Sequence, residues 1–178
     1  MARCTMRPNP DPLISAHAIA AAVQRLAGEL DQVLSPAQRP VLLALLDGAW
    51  LFAADLARGM TLPELELRSV RARSYAGTSS SGIVAIDGLG DLGGAEVVIV
   101  DDILDTGRTL ASAVAAVQAA GARSVRTAVL LDKPARRVPG GLATADHIGF
   151  TIPDVFVVGY GLDLDGHFRH WPAVHAVS

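Results

Sequence analysis

Three carboxylates stand beside a segment suited to anion binding, in the stretch from Val98 to Leu110, which reads VIVDDILDTGRTL. An apolar run typical of a strand stops at Asp101 and Asp102, Asp105 follows, and a Thr/Gly/Arg/Thr segment then opens a predicted helix. The backbone N–H groups of residues 105–109, two threonine hydroxyls and the positive end of that helix could together hold a phosphate. Because carboxylates repel a phosphate, we expect the acids to address another part of the same ligand.

Two kinds of ligand group suit these acids. Vicinal sugar hydroxyls donate hydrogen bonds to carboxylates, and a divalent cation bridges acids and phosphates. A phosphorylated sugar that carries a metal-bound diphosphate presents all three features. The simpler alternative is an acidic turn that caps a helix, but Asp105 or Thr106 could cap it alone, and neither needs the Asp101–Asp102 pair.

Alternating helix and strand patterns surround this stretch. Ser15 could cap a helix whose apolar residues recur at spacings of three and four, and residues 40–46 form a continuous apolar run typical of a strand buried on both faces. Further predicted elements are a helix over 50–59, a strand over 65–73, a mobile Ser/Gly-rich loop over 74–82, strands over 83–86 and 97–100, a helix from Leu110 that stops at Gly121, a strand over 125–131, and short strands near 148–150 and 156–160. This order predicts one α/β domain over residues 1–178, with a mostly parallel sheet flanked by helices and a loose lead-in over residues 1–12.

The bulk composition excludes several classes. A net charge of -3 and the lack of a basic stripe argue against nucleic-acid binding. The sequence has no uninterrupted run of about 18 apolar residues, so we expect no membrane span. The single cysteine, Cys4, cannot form an internal disulfide, so we expect a cytoplasmic protein.

Two phosphate-binding motifs are matched only in part. Residues 88–93 fit the letters of the dinucleotide fingerprint G-x-G-x-x-G, but a predicted strand follows them where a helix is required. The segment ending at Thr109 lacks the lysine of a P-loop and has Asp102 where that motif needs glycine.

The whole motif VIVDDILDTGRTL resembles the phosphoribosyl-diphosphate (PRPP) motif of type I phosphoribosyltransferases. Three further segments resemble the 6-oxopurine, or hypoxanthine–guanine, branch of that family: LLDKP at 130–134, GFTIPD at 149–154 and FVVGYGLD at 156–163. The resemblance covers roughly residues 40–172. It implies the type I phosphoribosyltransferase fold, with a small hood built from the terminal segments.

The resemblance also implies a role for each matching residue. Asp101 and Asp102 would hold the ribose hydroxyls of PRPP, and Asp105 would lie near purine N7 as general base or proton relay. The 5-phosphate would be wrapped by Asp105, Thr106, Gly107, Arg108 and Thr109.

The purine base would be contacted by Lys133 at O6, by Phe156 and Ile103 on its two faces, and by the backbone of Val157. Diphosphate would meet Arg169 and the loop Leu46, Asp47 and Gly48. Asp163 would meet Mg2+, with Asp101 and Asp102 as possible contributors, and Ser74 and Tyr75 would begin a mobile loop that excludes water.

Two positions depart from the family pattern. Asp47 stands where the family has a basic residue, which places an anion near an anionic product. The donors that this loop offers are backbone N–H groups, often presented by a non-proline cis peptide, and Asp47 can keep that geometry. Leu164 replaces an aromatic residue, and we expect it to affect packing.

The predicted function is transfer of phosphoribose from PRPP to N9 of hypoxanthine or guanine with Mg2+, by a homodimer or homotetramer. Lys133 would favour a 6-oxo group over a 6-amino group. One alternative is a catalytically weak or regulatory protein of the same fold that binds nucleotide or RNA, for which Asp47 is the best support. Another is a phospho-receiver domain, but there the acid pair follows the first strand, and here it lies past mid-chain.

Overall fold

A six-stranded sheet carries the acidic stretch, in a computed structural model that describes residues 7–34, 39–74 and 84–178. Its strands are β1 (Pro40–Leu46), β2 (Glu66–Ser74), β3 (Val84–Asp87), β4 (Glu96–Leu104), β5 (Ser124–Asp132) and β6 (His147–Thr151). Their spatial order is β3-β2-β1-β4-β5-β6; five strands run parallel, and β3 pairs antiparallel with β2. The predicted α/β class is confirmed.

Helices cover both faces of the sheet. They are α1 (Ala16–Leu34), α2 (Trp50–Gly59) and α3 (Arg108–Ala119), with a 3-10 helix at Pro134–Arg136. Leu42 and Ala44 of β1 pack with α1 and α2, whereas Val41 and Leu43 pack on the side of α3. Both faces of β1 are therefore buried, which is why its sequence is continuously apolar. No helix in the described ranges is long and apolar enough to cross a membrane.

A crevice opens at the carboxyl end of the sheet, between β1 and β4. β1 pairs with β4 from Pro40–Glu96 to Ala44–Val100, and its last two residues pair only with β2. β4 continues along β5 as far as Leu104. Ligands of open α/β sheets bind at the point where the strand order reverses, and this is that point.

The acid pair lies within a strand rather than beyond its end. The predicted strand over 97–100 is too short, because β4 runs from Glu96 to Leu104. Asp101 pairs with Val129 and Ile103 with Leu131, so β5 keeps the segment extended after its apolar run has stopped.

A hood, formed by residues 7–14 and 155–178, joins the two ends of the chain. The N–H of Ile14 donates to the carbonyl of Val174 at 3.1 Å, and Asn9 donates to Ala176 at 2.8 Å. Two short strands, β7 (Val157–Val158) and β8 (His175–Ala176), complete it. Residues 7–12, expected to be a loose lead-in, instead hydrogen-bond to this C-terminal segment.

The glycine-rich segment 88–93 connects β3 to β4, two strands, as expected. Arg68 of β2 donates to the carbonyls of Leu89 and Asp91 and so holds this turn beside β2. No helix follows the glycines, so the dinucleotide fingerprint does not apply.

Candidate functional site

The carboxyl groups of Asp101 and Asp102 lie together at the base of the crevice. Asp101 is 9% exposed, and its Oδ1 accepts a hydrogen bond from the N–H of Asp102 at 3.0 Å. Burial and then the negative charge of Asp102 raise the pKa of Asp101 well above its ordinary value. Burial also raises the pKa of Asp102, and the hydrogen bond with Asp101, the N–H of Ile103 and the positive charge of Arg169 partly offset this. Two adjacent charges are therefore costly here until a ligand brings hydroxyl donors or a cation.

The predicted anion cradle, residues 105–109, follows the acids and leads into α3. Gly107 precedes α3 with φ +81, a conformation that glycine adopts without strain. Residues 101–110 line a pocket of about 220 Å3, apart from Arg108, whose side chain is exposed. The first turn of α3 carries no acidic residue, so its dipole favours an anion here, although the N–H of Arg108 already donates to the hydroxyl oxygen of Thr106 at 3.4 Å.

A wall of the cradle, residues 138–142, was not predicted. The N–H of Leu142 donates to the carbonyl of Gly107 at 2.9 Å, and Val138 donates to Thr106 at 3.3 Å. A Cβ on Gly107 would lie 2.6 Å from the nitrogen of Leu142, so only glycine permits this approach. Pro139, Gly140 and Gly141 were the only sequence signal of a tight turn here.

Lys133 follows β5 directly and lies next to the acidic stretch. Its side chain is 6% exposed, and its N–H donates to the carbonyl of Leu104 at 3.0 Å. Among the described residues its ammonium has no hydrogen-bond or ion-pair partner, and no fully buried side-chain nitrogen is left without one, so the ammonium keeps contact with solvent. An ammonium that opens to solvent from an otherwise buried stem is accessible to a ligand.

Two arginines after Lys133 belong to the site, although sequence reasoning missed both. Arg136 lies 3.1 Å from Oδ1 of Asp105 and 3.7 Å from Asp154, and these acids raise the pKa of Arg136. Arg137, with a side chain only 16% exposed, donates to the carbonyls of Leu104, Asp105 and Lys133 and pairs with the carboxylate of Asp132. The adjacent arginines just after Lys133 were the available signal.

The predicted base-stacking residues differ in exposure. Phe156 is 47% exposed, unusual for a phenylalanine, whereas Ile103 is half-buried. Val157 is buried in β7. The carbonyl of Phe156 accepts the N–H of Val177 at 2.8 Å, so the hood fixes the backbone at this point.

The loop of residues 46–48 packs directly on the acid pair. The Leu46–Asp47 peptide is cis, as expected from the resemblance. A Cβ on Gly48 would overlap the carboxylate of Asp102, and one on Gly161 would overlap the carbonyl of Gly48. The structure therefore brings this loop, the acid pair and the hood into contact.

Arg169 and Asp163 lie in the hood beside that loop. The guanidinium of Arg169 donates to the carbonyl of Gly161 and lies 2.6 Å from Oδ1 of Asp163. The other carboxylate oxygen of Asp163 accepts the N–H of Gly166 at 2.7 Å. Of the predicted loop residues, Ser74 ends β2 and Tyr75 lies outside the described residues.

Comparison with known proteins gives one family. The model of the phosphoribosyl transferase domain matches residues 12–165. Hypoxanthine-guanine phosphoribosyltransferase of Streptococcus pneumoniae is 37% identical over 165 residues, covering 91% of this chain and 89% of the relative. Hypoxanthine phosphoribosyltransferase of Salmonella typhimurium is 41% identical over 143 residues, 77% of each chain.

Solved structures give the same result. A hypoxanthine-guanine phosphoribosyltransferase from Bacillus anthracis matches with a TM-score of 0.85 and 31% identity over 98% of this chain and 100% of that one. A hypoxanthine phosphoribosyltransferase from Staphylococcus aureus has a TM-score of 0.86 and 31% identity, with 95% and 91% covered.

Proposed function

This chain belongs to the phosphoribosyl transferase family, and from that premise we propose that it is a purine-salvage enzyme. It transfers the 5-phosphoribosyl group of PRPP to N9 of hypoxanthine, guanine or both, giving the nucleotide and diphosphate. The relatives named for this activity cover most of the chain at more than 30% identity. Residues 1–178 act as one phosphoribosyltransferase domain.

The observation within the site that best supports this function is the ammonium of Lys133, at the end of a largely buried side chain beside the acid stretch. Lys133 follows β5, and Asp105 follows β4, its parallel neighbour. A base that meets the lysine through its 6-oxo group would have its imidazole ring toward Asp105 and its sugar over Asp101 and Asp102. The exposed face of Phe156 would stack on that base.

Each residue then has a chemical task. Asp101 and Asp102 accept hydrogen bonds from the ribose hydroxyls, while the cradle from Asp105 to Thr109 binds the 5-phosphate. As N9 attacks C1 of the ribose, the bond from C1 to the diphosphate oxygen breaks and its electron pair leaves with the diphosphate. The proton at N7 passes to the carboxylate of Asp105. Ser74 and Tyr75 begin the loop that keeps water from the cationic sugar.

The residues fit magnesium carried by the substrate rather than a preformed metal cage. Across the described residues, no group of three or more His, Cys, Asp and Glu side chains could hold a metal ion. Asp163 offers one carboxylate beside Arg169, and Mg2+ commonly needs only one or two carboxylates plus phosphates and water. When bound, the ion would neutralise charge on the departing diphosphate.

We also propose that the enzyme is a cytoplasmic homodimer or homotetramer. Trp50 is 66% exposed and Leu67 is 61% exposed, and both line an apolar groove of about 330 Å3. Apolar side chains this exposed around one groove are typical of an interface.

A direct assay tests the function. The protein is incubated with PRPP, Mg2+ and hypoxanthine, guanine, xanthine or adenine, and nucleotides are separated by chromatography. We expect IMP or GMP from the wild type and a loss of about 100-fold or more in turnover with Asp105→Asn, purified identically to control for contaminating activity. No nucleotide from any 6-oxopurine would refute the proposal.

A further inference from the structure

Asp47 forms an ion pair with an arginine from the neighbouring strand. Nη2 of Arg71 lies 3.1 Å from Oδ1 of Asp47, and the two side chains are 64% and 48% exposed. Asp47 stands at the position where the resemblance leads us to expect a basic side chain beside diphosphate. The acid at position 47 is therefore paired with a nearby cation, the guanidinium of Arg71.

The sheet register fixes Arg71 at this loop. Arg71 of β2 is the pairing partner of Leu46 of β1, the residue just before Asp47. The same loop touches Asp102 through Gly48, and Gly161 of the hood packs on Gly48. Arg71 thus approaches the crevice from the β2 side, whereas Arg169 approaches it from the hood, where it donates to Gly161.

We propose that Arg71 supplies the positive charge for diphosphate at this side of the site, and that Asp47 holds its guanidinium beside the loop until the ligand competes for it. This inference rests on the proposed function. An exposed ion pair contributes little stability, so exchanging its carboxylate for a phosphate costs little. A guanidinium also binds phosphate through paired, charge-assisted hydrogen bonds, which a single contact to Asp47 leaves available.

The competing explanation is that the pair only fastens the loop to β2. Under that explanation the contact is already lost in Asp47→Asn, so adding Arg71→Gln to that variant changes diphosphate inhibition no further. Under the proposal Arg71→Gln weakens diphosphate inhibition in the Asp47→Asn background as well, because it removes the cation itself.

The experiment measures KM for PRPP, KM for hypoxanthine, and product inhibition by diphosphate. We expect Arg71→Gln to weaken diphosphate inhibition and raise KM for PRPP by about tenfold, with KM for hypoxanthine unchanged. Asp47→Asn should strengthen diphosphate inhibition by about threefold or more. The matched control is Arg58→Gln, which removes another exposed arginine paired with an aspartate, Asp55, on α2 and should leave all three constants unchanged.

The outcomes separate the two proposals. A wild-type enzyme that forms no nucleotide refutes the proposed function itself. An active wild type in which Arg71→Gln leaves diphosphate inhibition unchanged in the Asp47→Asn background overturns the role of Arg71 alone. Should Arg71→Gln fail to fold, Arg71→Lys replaces it in that background, because lysine keeps the positive charge but cannot form the paired hydrogen bonds to phosphate, and unchanged inhibition by diphosphate would again overturn the role.

Discussion

The carboxyl group of Asp101 is buried beside that of Asp102, and neither is needed to fill the core. Burial disfavours the charged form of both groups, and their mutual repulsion adds to this for Asp101. In the proposed function the same pair accepts hydrogen bonds from sugar hydroxyls. We therefore expect the site to be maintained at a cost in stability.

Asp101→Asn tests that cost. Because the folded-state pKa of Asp101 lies above its unfolded value, its stabilising contribution is present below the unfolded pKa and is lost as pH rises through the folded pKa. Asparagine stays neutral and keeps an oxygen for the N–H of Asp102. The variant should melt a few degrees above the wild type at pH 8, and the difference should shrink toward pH 4, measured by calorimetry. An unchanged or lower melting temperature at pH 8 would contradict the assignment.

Lys133→Met tests whether this single side chain selects the purine base. Methionine keeps most of the buried volume and removes the ammonium, so discrimination between hypoxanthine and adenine should fall by about tenfold or more. The measurement is kcat/KM for each base, with KM for PRPP as the internal control. Unchanged base preference would show that Lys133 does not contact the purine.

At the level of elements, local sequence patterns were enough to predict a helix or strand wherever its buried residues recur at the spacing of that element. Residues 50–59 form α2 as predicted, because its apolar residues recur at helical spacing and a turn precedes it. Ser15 caps α1 as expected, accepting the N–H of Ala18 at 3.2 Å. The acid stretch itself was recognisable because acids, glycine and threonine lie within one short segment.

Contacts between distant segments were not predictable from the sequence. Residues 7–12 pair with the chain end, and Arg71 reaches Asp47 from another strand. The end of β4 was placed too early because two acids suggested solvent, whereas pairing with β5 continues past them. Such contacts depend on register and topology, which leave no periodic trace in the sequence.

Arg137 joins the ends of β4 and β5, which lead into the residues proposed to bind the 5-phosphate and the base. Its guanidinium donates to the carbonyls of Leu104 and Asp105 at the end of β4 and of Lys133 after β5. Arg137→Lys keeps the charge but cannot span these carbonyls, so some are left unsatisfied. We expect KM for both PRPP and hypoxanthine to rise several-fold together and the melting temperature to fall by several degrees.

The matched control is Arg126→Lys, on the same strand as the residues before Lys133 but away from these carbonyls. It should change neither KM. If Arg137→Lys lowers only the melting temperature and leaves both KM values unchanged, Arg137 supports the fold without positioning the site.

At the scale of the whole molecule, the groove lined by Trp50 and Leu67 is the surface we expect to contact a second copy of the chain. A stable interface buries about 800 Å2 on each partner, with apolar residues at its centre. Leu67→Glu would place a charge in the middle of this interface. The molar mass of the variant in solution, measured by sedimentation or light scattering, should therefore fall below that of the wild-type oligomer. Leu13→Glu is the control, since Leu13 is 41% exposed and does not line the groove.

A monomeric wild type would refute the proposed assembly. A Leu67→Glu variant of unchanged mass would place the interface elsewhere. Because the groove also includes Leu46, loss of assembly should weaken diphosphate inhibition as well, which links the oligomer to the site.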